Sequence, residues 1–380
     1  MRQENTIYDI AIIGGGLGGL TLAIQCAKQN RKVLLIEKES YPYHKVCGEY
    51  ISNESWPFLL SCGINLHELD LPKIQRLGIT APNGTYLSHN LAKGGFGISR
   101  FTLDYLLAQQ AKLAGVNLLE NCKATKIEFE NNQFYIQTTQ GVFTSKYAFG
   151  SYGKKGNLDV QLNRDFVQEK KRGSKNYIGV KYHIQSSFPP DLIELHNFKD
   201  GYCGISKIDN NQYCLCYLTT EENLKNNGNN IKAMEENILY KNPFLKILFT
   251  QATFLYKQPL SISQIRFEPK TQIENHFVLL GDAAGLITPL CGNGMSMAMR
   301  AAKMVSVLLP ANLDDANERA QFESNYQKEW KKAFKTRLKF GRIFQKLFGS
   351  VYITHLILNL LKPFPSLLKK LVRLTHGNDF

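Results

Sequence analysis

Three glycines near the N-terminus have the spacing that brings a polypeptide backbone close to a phosphate. The pattern Gly14-x-Gly16-x-x-Gly19 follows an apolar run at 8–13 and precedes a segment with helical spacing of apolar residues at 20–29. Such glycines permit a tight turn, close approach of the backbone to a pyrophosphate, and close packing of helix on strand. The helix N-terminus adds N–H groups and the positive end of its dipole. We therefore predict a dinucleotide site formed by Gly14, Gly16, Leu17, Gly18 and Gly19.

An acidic residue ends the next predicted strand. Residues 32–36 form a second apolar run, and Glu37 follows it directly. A carboxylate at this strand end can accept hydrogen bonds from ribose hydroxyls and repels a 2′-phosphate, so the site favours the adenosine half of FAD or NAD over NADP. Lys38, beside it, is a further candidate for contact with the cofactor. The complete strand–turn–helix–strand–acid order makes a glycine-rich loop without a ligand the less favoured alternative.

A second motif distinguishes FAD from NAD. A predicted buried strand at 276–280 is followed by Gly281 and Asp282, and then by a glycine-rich turn that ends in Gly292, Asn293, Gly294 and Met295. This segment resembles the GD motif of group A flavoprotein hydroxylases and geranylgeranyl reductase-like proteins. The resemblance implies that Asp282 binds the ribityl chain and that the turn lies beside the isoalloxazine. Backbone N–H groups at a helix N-terminus can stabilise the negative charge of a reduced flavin. We expect FAD as the cofactor and NAD(P)H as a candidate transient electron donor.

Two shorter segments resemble the same families. Residues 42–49 are similar to the P-x-x-K-x-C-G segment of geranylgeranyl reductase-like flavoproteins, which implies that Lys45 faces the ADP part and that Cys47 and Gly48 lie near the flavin ring. Cys47 is the candidate catalytic residue, and the alternative is a small buried residue that only packs. Arg100 begins an R-x-x-L-D-x-x-L pattern, in which the resemblance places it near the cofactor. The alternative is a surface arginine in the first turn of a helix.

The sequence also departs from related patterns. These flavoproteins usually carry a G-A-D-G-type segment after their strand run, whereas here Tyr152 stands in the place of the acid. This leaves the usual contact at that point open. Flavin halogenases carry a WxWxIP segment, but the tryptophans of this chain are Trp56 and Trp330 alone, so halogenation is not expected. The eight cysteines include no CxxC pair, and no metal site is predicted.

The order of predicted elements indicates an α/β fold. We expect a discontinuous Rossmann-like FAD-binding domain at 1–175 and 258–310, an inserted strand-rich substrate domain at 176–257, and a helical basic region at 311–380. An apolar sheet over the flavin suits a hydrophobic small-molecule substrate. The N-terminus does not have the pattern of a signal peptide, so we expect reduced thiols and a cytoplasmic protein.

Positive charge is concentrated at the C-terminus. Residues 331–380 hold eleven Lys/Arg and one acid, Asp379. Residues 347–361 carry no full charge but are too few to span a bilayer. This pattern resembles an interfacial helix, which would place the protein at an anionic membrane surface on the inner face of the membrane. The alternative is a helix packed on the catalytic domain. Nucleic-acid binding is not expected, since it would require a steep salt dependence that charge alone does not establish, and the oligomeric state is left open.

The motifs and the resemblance together imply an FAD-dependent oxidoreductase that acts on a hydrophobic molecule. One mechanism passes hydride between the flavin and a C=C bond of a prenyl-like or polyketide-like substrate, and the P-x-x-K-x-C-G segment favours it. A second is NAD(P)H-dependent monooxygenation of an aromatic ring. A hypothesis of another class is a flavin-binding or lipid-binding protein without catalysis.

Overall fold

The computed structural model describes residues 6–168, 175–288, 292–348, 350–364, 366–369, 371 and 379–380. The strands within these ranges are β1 (Ile7–Ile13), β2 (Val33–Ile36), β3 (Tyr50–Ser52), β4 (Lys73–Thr80), β5 (Tyr86–Gly97), β6 (Asn117–Leu119), β7 (Ala124–Glu130), β8 (Gln133–Thr138), β9 (Gly141–Gly150), β10 (Tyr177–Gln185), β11 (Leu192–Phe198), β12 (Gly201–Lys207), β13 (Tyr213–Thr220), β14 (Thr253–Phe254), β15 (Leu260–Ile265), β16 (Ile273–Glu274) and β17 (Phe277–Leu279). The α-helices are α1 (Leu17–Lys28), α2 (Trp56–Ser61), α3 (Arg100–Leu113), α4 (Asn157–Gln161), α5 (Asp165–Gln168), α6 (Glu221–Lys225), α7 (Ile231–Ile238), α8 (Pro243–Gln251), α9 (Gly294–Leu308), α10 (Ala316–Phe348) and α11 (Val351–Leu361).

The first sheet carries the predicted dinucleotide motif. Its order is β16-β17-β9-β1-β2-β6, and β7 and β8 extend it from β9. Strand β1 lies parallel between β9 and β2. Both β1 and β2 are almost wholly apolar and buried, as expected of parallel strands that are covered on both faces. Strand β17 pairs in parallel with β9, so the chain does return to this sheet just before Gly281.

The second sheet faces the first across a cavity that residues of both sheets line. Its order is β14-β10-β13-β12-β11-β4-β5-β3, with β15 paired to β10. Strands β3, β4, β5 and β15 lie outside the segment 176–257 that was predicted as the substrate domain. Strand β4 pairs in parallel with β11, with Leu77 opposite Ile193. A pairing between strands so far apart in the chain leaves no local signal in the sequence, because it is defined only by tertiary packing.

The C-terminal helices pack on both sheets. Helix α10 adds Phe322, Tyr326 and Trp330 to the core around the first sheet. Helix α11 places Leu358 and Leu361 against β4 and β5 in a separate apolar cluster. Of the two sequence-based alternatives for this region, the packed helix therefore describes its inner side. No helix among the described residues is long and apolar enough to cross a membrane.

Candidate active site

One cavity of about 990 Å³ lies between the two sheets and collects the predicted site residues. The predicted cofactor residues that line it are Gly14, Gly16, Leu17, Gly18, Glu37, Lys38, Lys45, Cys47, Gly48, Arg100, Gly281, Asp282, Gly292, Asn293, Gly294 and Met295. Gly19 lies behind the wall, where a Cβ would collide with the Gly14 carbonyl oxygen. Its role is therefore the close packing of α1 on β1.

The N-terminus of α1 forms an anion cradle together with two cations. At Gly14, φ is +103° and a Cβ would lie 2.5 Å from the Ser151 carbonyl oxygen, so this turn requires glycine. A Cβ at Gly16 would meet no atom closer than 3.8 Å; its neighbours would be Arg100 Nη2 at 3.8 Å, and Lys45 Nζ and the Ser151 carbonyl oxygen at 4.0 Å. Helix N–H groups and two cations at the wall of the cavity fit the pyrophosphate of a dinucleotide.

A buried carboxylate holds the two cations in place. Asp104 Oδ2 lies 2.9 Å from Lys45 Nζ, and Asp104 Oδ1 lies 2.7 Å from Arg100 Nε. The Arg100 side chain is 12% exposed, so the surface-arginine alternative does not apply. Burial raises the pKa of Asp104, but the charges of Arg100 and Lys45 outweigh it, and the pKa lies below its usual value. The carboxylate is therefore charged at neutral pH and fixes both cations beside the cradle.

Glu37 closes the glycine turn at the end of β2. Its Oε2 accepts a hydrogen bond of 2.6 Å from the Gly15 N–H, and its Oε1 accepts one of 3.0 Å from the Glu39 N–H. The Tyr41 hydroxyl donates to the Gly15 carbonyl oxygen at 2.5 Å. Lys38 is largely exposed and pairs with Glu39, so it lies at the rim of the cavity.

Two sulfur side chains meet on the side of the cavity where the flavin ring is expected. Cys47 Sγ lies 3.6 Å from Met295 Sδ. Burial raises the pKa of Cys47, and the charge of Arg100 offsets this only in part. Cys47 is therefore a neutral thiol at neutral pH, which suits packing or weak hydrogen-bond donation and not attack as a thiolate. Asp282 lines the same region, and burial raises its pKa, with Lys270 opposing.

Tyr152, at the point where the sequence departs from its relatives, is bound to an acid. Its hydroxyl donates to Asp159 Oδ1 at 2.7 Å, and Arg164 Nη1 lies 2.7 Å from the same oxygen. The Asp159 and Arg164 side chains are buried. Thus a carboxylate is present behind this wall of the cavity, although it belongs to a residue seven positions further on.

Glu49 is the main site residue that sequence reasoning missed. It follows Cys47-Gly48 directly, is fully buried, and has a φ of +56°. Lys181 Nζ forms a short hydrogen bond with its Oε1, and His183 Nε2 lies 2.6 Å from its Oε2. The Arg100 backbone N–H donates to Oε1 at 2.8 Å. Buried, charged groups in an uncommon backbone conformation are typical of functional sites.

This Glu49 cluster fixes the loop that carries Cys47. Lys181 Nζ also donates to the Lys45 carbonyl oxygen at 3.1 Å, and Cys214 Sγ contacts the Cys47 carbonyl oxygen at 3.2 Å. Burial raises the pKa of Glu49, but the hydrogen bond from His183 and the charge of Lys181 outweigh it, so the pKa lies below its usual value. The signal in the sequence was the placement of Lys181 and His183 on one face of an otherwise apolar strand.

A chain of polar groups leads from Glu49 back to the cavity. His183 Nδ1 lies 3.1 Å from the Tyr256 hydroxyl, which lies 3.0 Å from His44 Nε2. His44 lines the cavity, and its Nδ1 is buried without a hydrogen-bond partner among the described residues. Glu49, His183 and Cys214 have the ligand types of a metal site. Lys181, however, already neutralises Glu49 and binds one of its carboxylate oxygens, so we assign no metal there.

The far end of the cavity is apolar. One cluster of aliphatic and aromatic side chains includes Leu286, beside the second motif, and a second, mostly aliphatic cluster lies under α11. Leu195 of β11 packs against both clusters, which makes the apolar wall continuous. The cavity-lining residues of the second cluster are Leu77, Ile79, Leu91, Ile193, Leu195, Phe344, Ile357, Leu358, Leu361, Leu368 and Leu371.

Family models and curated proteins show which known sequences this chain is similar to. A family model described as NAD(P)-binding Rossmann-like domain matches residues 12–69, and one described as tryptophan halogenase matches residues 248–336. The chain is 23% identical to a digeranylgeranylglycerophospholipid reductase of Methanococcus vannielii, over 97% of this chain and 98% of the relative. It is 25% identical to conditioned medium factor receptor 1 of Dictyostelium discoideum, over 87% of this chain and 69% of the relative.

Solved structures share the fold. The flavin-dependent brominase Bmp2 superposes with a TM-score of 0.80 at 16% identity, over 97% of this chain and 93% of that one. A geranylgeranyl bacteriochlorophyll reductase-like protein of Thermoplasma acidophilum gives 0.77 at 17% identity, over 98% and 96%. The predicted α/β fold is thus confirmed. The predicted resemblance to the FAD-dependent oxidoreductase superfamily is borne out by these similarities, and the predictions of a flavin enzyme and of FAD as its cofactor are confirmed as well.

Proposed function

We propose that this protein transfers hydride between FAD and a C=C bond in a long, apolar, prenyl-like chain. The observation that carries this proposal is the continuity of one cavity, from the anion cradle at Gly16 to the aliphatic end under α11. A substrate bound there would lie with one segment beside Cys47 and the rest along β4 and β11.

The chemistry of the cavity wall supports a hydrocarbon substrate. Aliphatic side chains such as Leu77, Ile193 and Leu361 line its far end, and removal of apolar substrate surface from water drives binding there. The relatives named digeranylgeranylglycerophospholipid reductases act, by their names, on a lipid that carries geranylgeranyl chains. This supports the same class of substrate for this chain.

Some residues of the site would bind the cofactor, and others would supply a proton. When FAD is bound, it supplies the hydride chemistry. Arg100, Lys45 and the start of α1 hold its pyrophosphate, and the apolar wall excludes water. Reduction of a C=C bond also consumes a proton. Hydrogen bonds connect Glu49 to His183, His183 to Tyr256 and Tyr256 to His44, with heavy-atom separations of 2.6, 3.1 and 3.0 Å. This path would hold and resupply the proton.

The proposal is tested by reoxidation of the reduced protein under anaerobic conditions. The FAD-loaded protein is reduced with dithionite and mixed with a geranylgeranyl lipid in detergent, and the flavin absorbance is followed with product analysis by mass spectrometry. We expect recovery of oxidised flavin and a product that has gained two hydrogens per double bond. Reduced flavin that persists through every prenyl lipid offered would refute the proposal.

Oxygen-dependent chemistry is the competing alternative. The match of residues 248–336 to a tryptophan halogenase model and the brominase-like fold make it a necessary arm of the test. The same protein is therefore supplied with NAD(P)H, oxygen, and phenolic or indolic substrates, with and without bromide. Hydroxylated or brominated product, without anaerobic reduction of a prenyl lipid, would replace the proposed reaction by this one.

A further inference from the structure

Helix α11 has an exposed apolar side as well as a buried one. Tyr352, Leu356 and Leu360 are spaced four residues apart and therefore share a face. They are 87%, 59% and 59% exposed, and Phe364, just beyond the helix, is 56% exposed. Leu358, by contrast, is buried against the second sheet. No described residue covers the outer face, and a short helix that is apolar on both sides is typical of contact with an apolar phase.

Positive charges flank α11 along the chain. Lys346 precedes α11, Lys362 follows it directly, and Lys369 lies seven residues after Lys362; all three are exposed. The last 50 residues of the chain hold eleven Lys/Arg against one acid. An apolar helix face flanked by lysines matches the layered chemistry of an anionic lipid surface, where acyl chains lie beneath negative headgroups.

The helix is also fixed in place relative to the cavity. His355 Nδ1 lies 2.8 Å from Thr85 Oγ1 and 3.0 Å from Asn83 Nδ2, which ties α11 to the turn between β4 and β5. The inner side of the same helix, at Ile357, Leu358 and Leu361, lines the apolar end of the cavity. The outer face and the substrate cavity are thus separated by the width of one helix.

We propose that the outer face of α11, formed by Tyr352, Leu356, Leu360 and Phe364, docks on an anionic lipid bilayer. This deepens the proposed function and rests on it in one respect: a prenyl-type lipid would enter the cavity directly from the membrane. The occupant is a bilayer and not a second copy of the chain, because a symmetric contact would bring two sets of like charges together.

The test is sedimentation of the FAD-loaded full-length protein with vesicles, without substrate. Vesicles of phosphatidylcholine are compared with vesicles that also contain phosphatidylglycerol. The double variant Leu356→Ser/Leu360→Ser changes exposed side chains only, so the cavity wall and bound flavin are retained. We expect the wild-type protein to bind the anionic vesicles and to be released in part by salt. Because two apolar anchors are removed, the double variant should lower the partition coefficient about tenfold or more.

A matched control removes exposed apolar residues elsewhere. Leu113 and Val142 are 80% and 61% exposed, at the end of α3 and the start of β9. Leu113→Ser/Val142→Ser should bind vesicles as the wild type does. Equal sedimentation of the α11 variant and this control would overturn the proposal. A wild-type dimer that Leu356→Ser/Leu360→Ser converts to a monomer would also overturn it, in favour of a second copy as the occupant.

Failure of docking and failure of the proposed reaction give different results. If the reaction is correct and docking is not, detergent-dispersed prenyl lipid is reduced but vesicles do not retain the protein. If docking is correct and the reaction is not, the protein sediments with vesicles while no prenyl lipid reoxidises its flavin. If both hold, the α11 variant loses turnover only with substrate embedded in vesicles.

Discussion

Substitution of Glu49 by glutamine should destabilise the protein through the lysine that it leaves behind. The side chains of Glu49 and Lys181 are both 0% exposed, and Lys181 Nζ and Glu49 Oε1 form a close ion pair. Removal of one partner of such a pair costs about 3–5 kcal/mol, because the other charge remains buried without compensation. Lys181 keeps one acceptor, the Lys45 carbonyl oxygen at 3.1 Å. We therefore expect the lower end, a loss of about 3 kcal/mol in the free energy of unfolding.

Urea unfolding of the FAD-free protein measures this loss without a contribution from the cofactor. Asp191→Asn serves as the control, because it breaks an exposed carboxylate–arginine pair, with Arg76 Nη2 2.6 Å from Asp191 Oδ1. That variant should cost less than about 1 kcal/mol. Adding Lys181→Met to Glu49→Gln should restore part of the loss, because the unpaired ammonium group is then removed. A Glu49→Gln variant as stable as Asp191→Asn, or a double variant with fully additive losses, would refute the reasoning.

The same pair makes a directional prediction for pH. The pKa of Glu49 in the folded protein lies below its ordinary value of 4.5. A carboxyl with a lowered folded pKa stabilises the protein fully above its unfolded pKa, and that contribution is lost as the pH falls through the folded pKa. The stability difference between wild type and Glu49→Gln should therefore be largest at neutral pH and shrink below pH 4.5.

Three further predictions concern the cofactor and the substrate. Gly16→Val adds bulk beside Arg100 and Lys45, where the pyrophosphate is expected, so the purified protein should lose FAD. Its urea midpoint without FAD should stay within the wild-type range. A variant that retains yellow flavin would contradict the assignment of the anion cradle to the pyrophosphate. Cys47→Ser should keep the spectrum of bound FAD but lower turnover, and unchanged turnover would leave Cys47 with a packing role only. Ile193→Phe adds bulk at the far end of the cavity, so it should lower kcat/KM for long prenyl chains more than for short ones; an equal loss for both would show that this end does not hold the chain.

Local features of the fold could be predicted because their causes are local. The β1–α1–β2 unit follows from the continuous apolar strands and the glycine spacing. Helix α3 begins at Arg100 directly after a serine, and the Ser99 hydroxyl accepts from the Thr102 N–H at 3.1 Å, as an N-cap does. The turn at Asn131-Asn132 places both residues at positive φ, which asparagine tolerates better than most residues.

The Glu49 cluster could not be predicted because it exists only in three dimensions. Glu49 comes from the segment 42–49, Lys181 and His183 come from β10, and Tyr256 comes from the segment before β15. A single glutamate in a loop is ordinarily solvated, so its residue type alone indicates nothing. Only burial and positive φ reveal that it connects the FAD side of the cavity to the second sheet.

The C-terminal helix shows a different limit of sequence reasoning. Eight of the eleven residues from 351 to 361 are apolar, and they are distributed all round the helix, so the pattern does not single out the buried side. The same residues therefore supported both the membrane interpretation and the packing interpretation. In the structure, Leu358 and Leu361 line the cavity while Leu356 and Leu360 are exposed, so packing accounts for the inner side of the helix. Leu356 and Leu360 each leave 59% of their surface exposed, and this exposed apolar surface beside the end of the cavity is what the proposed bilayer contact would cover.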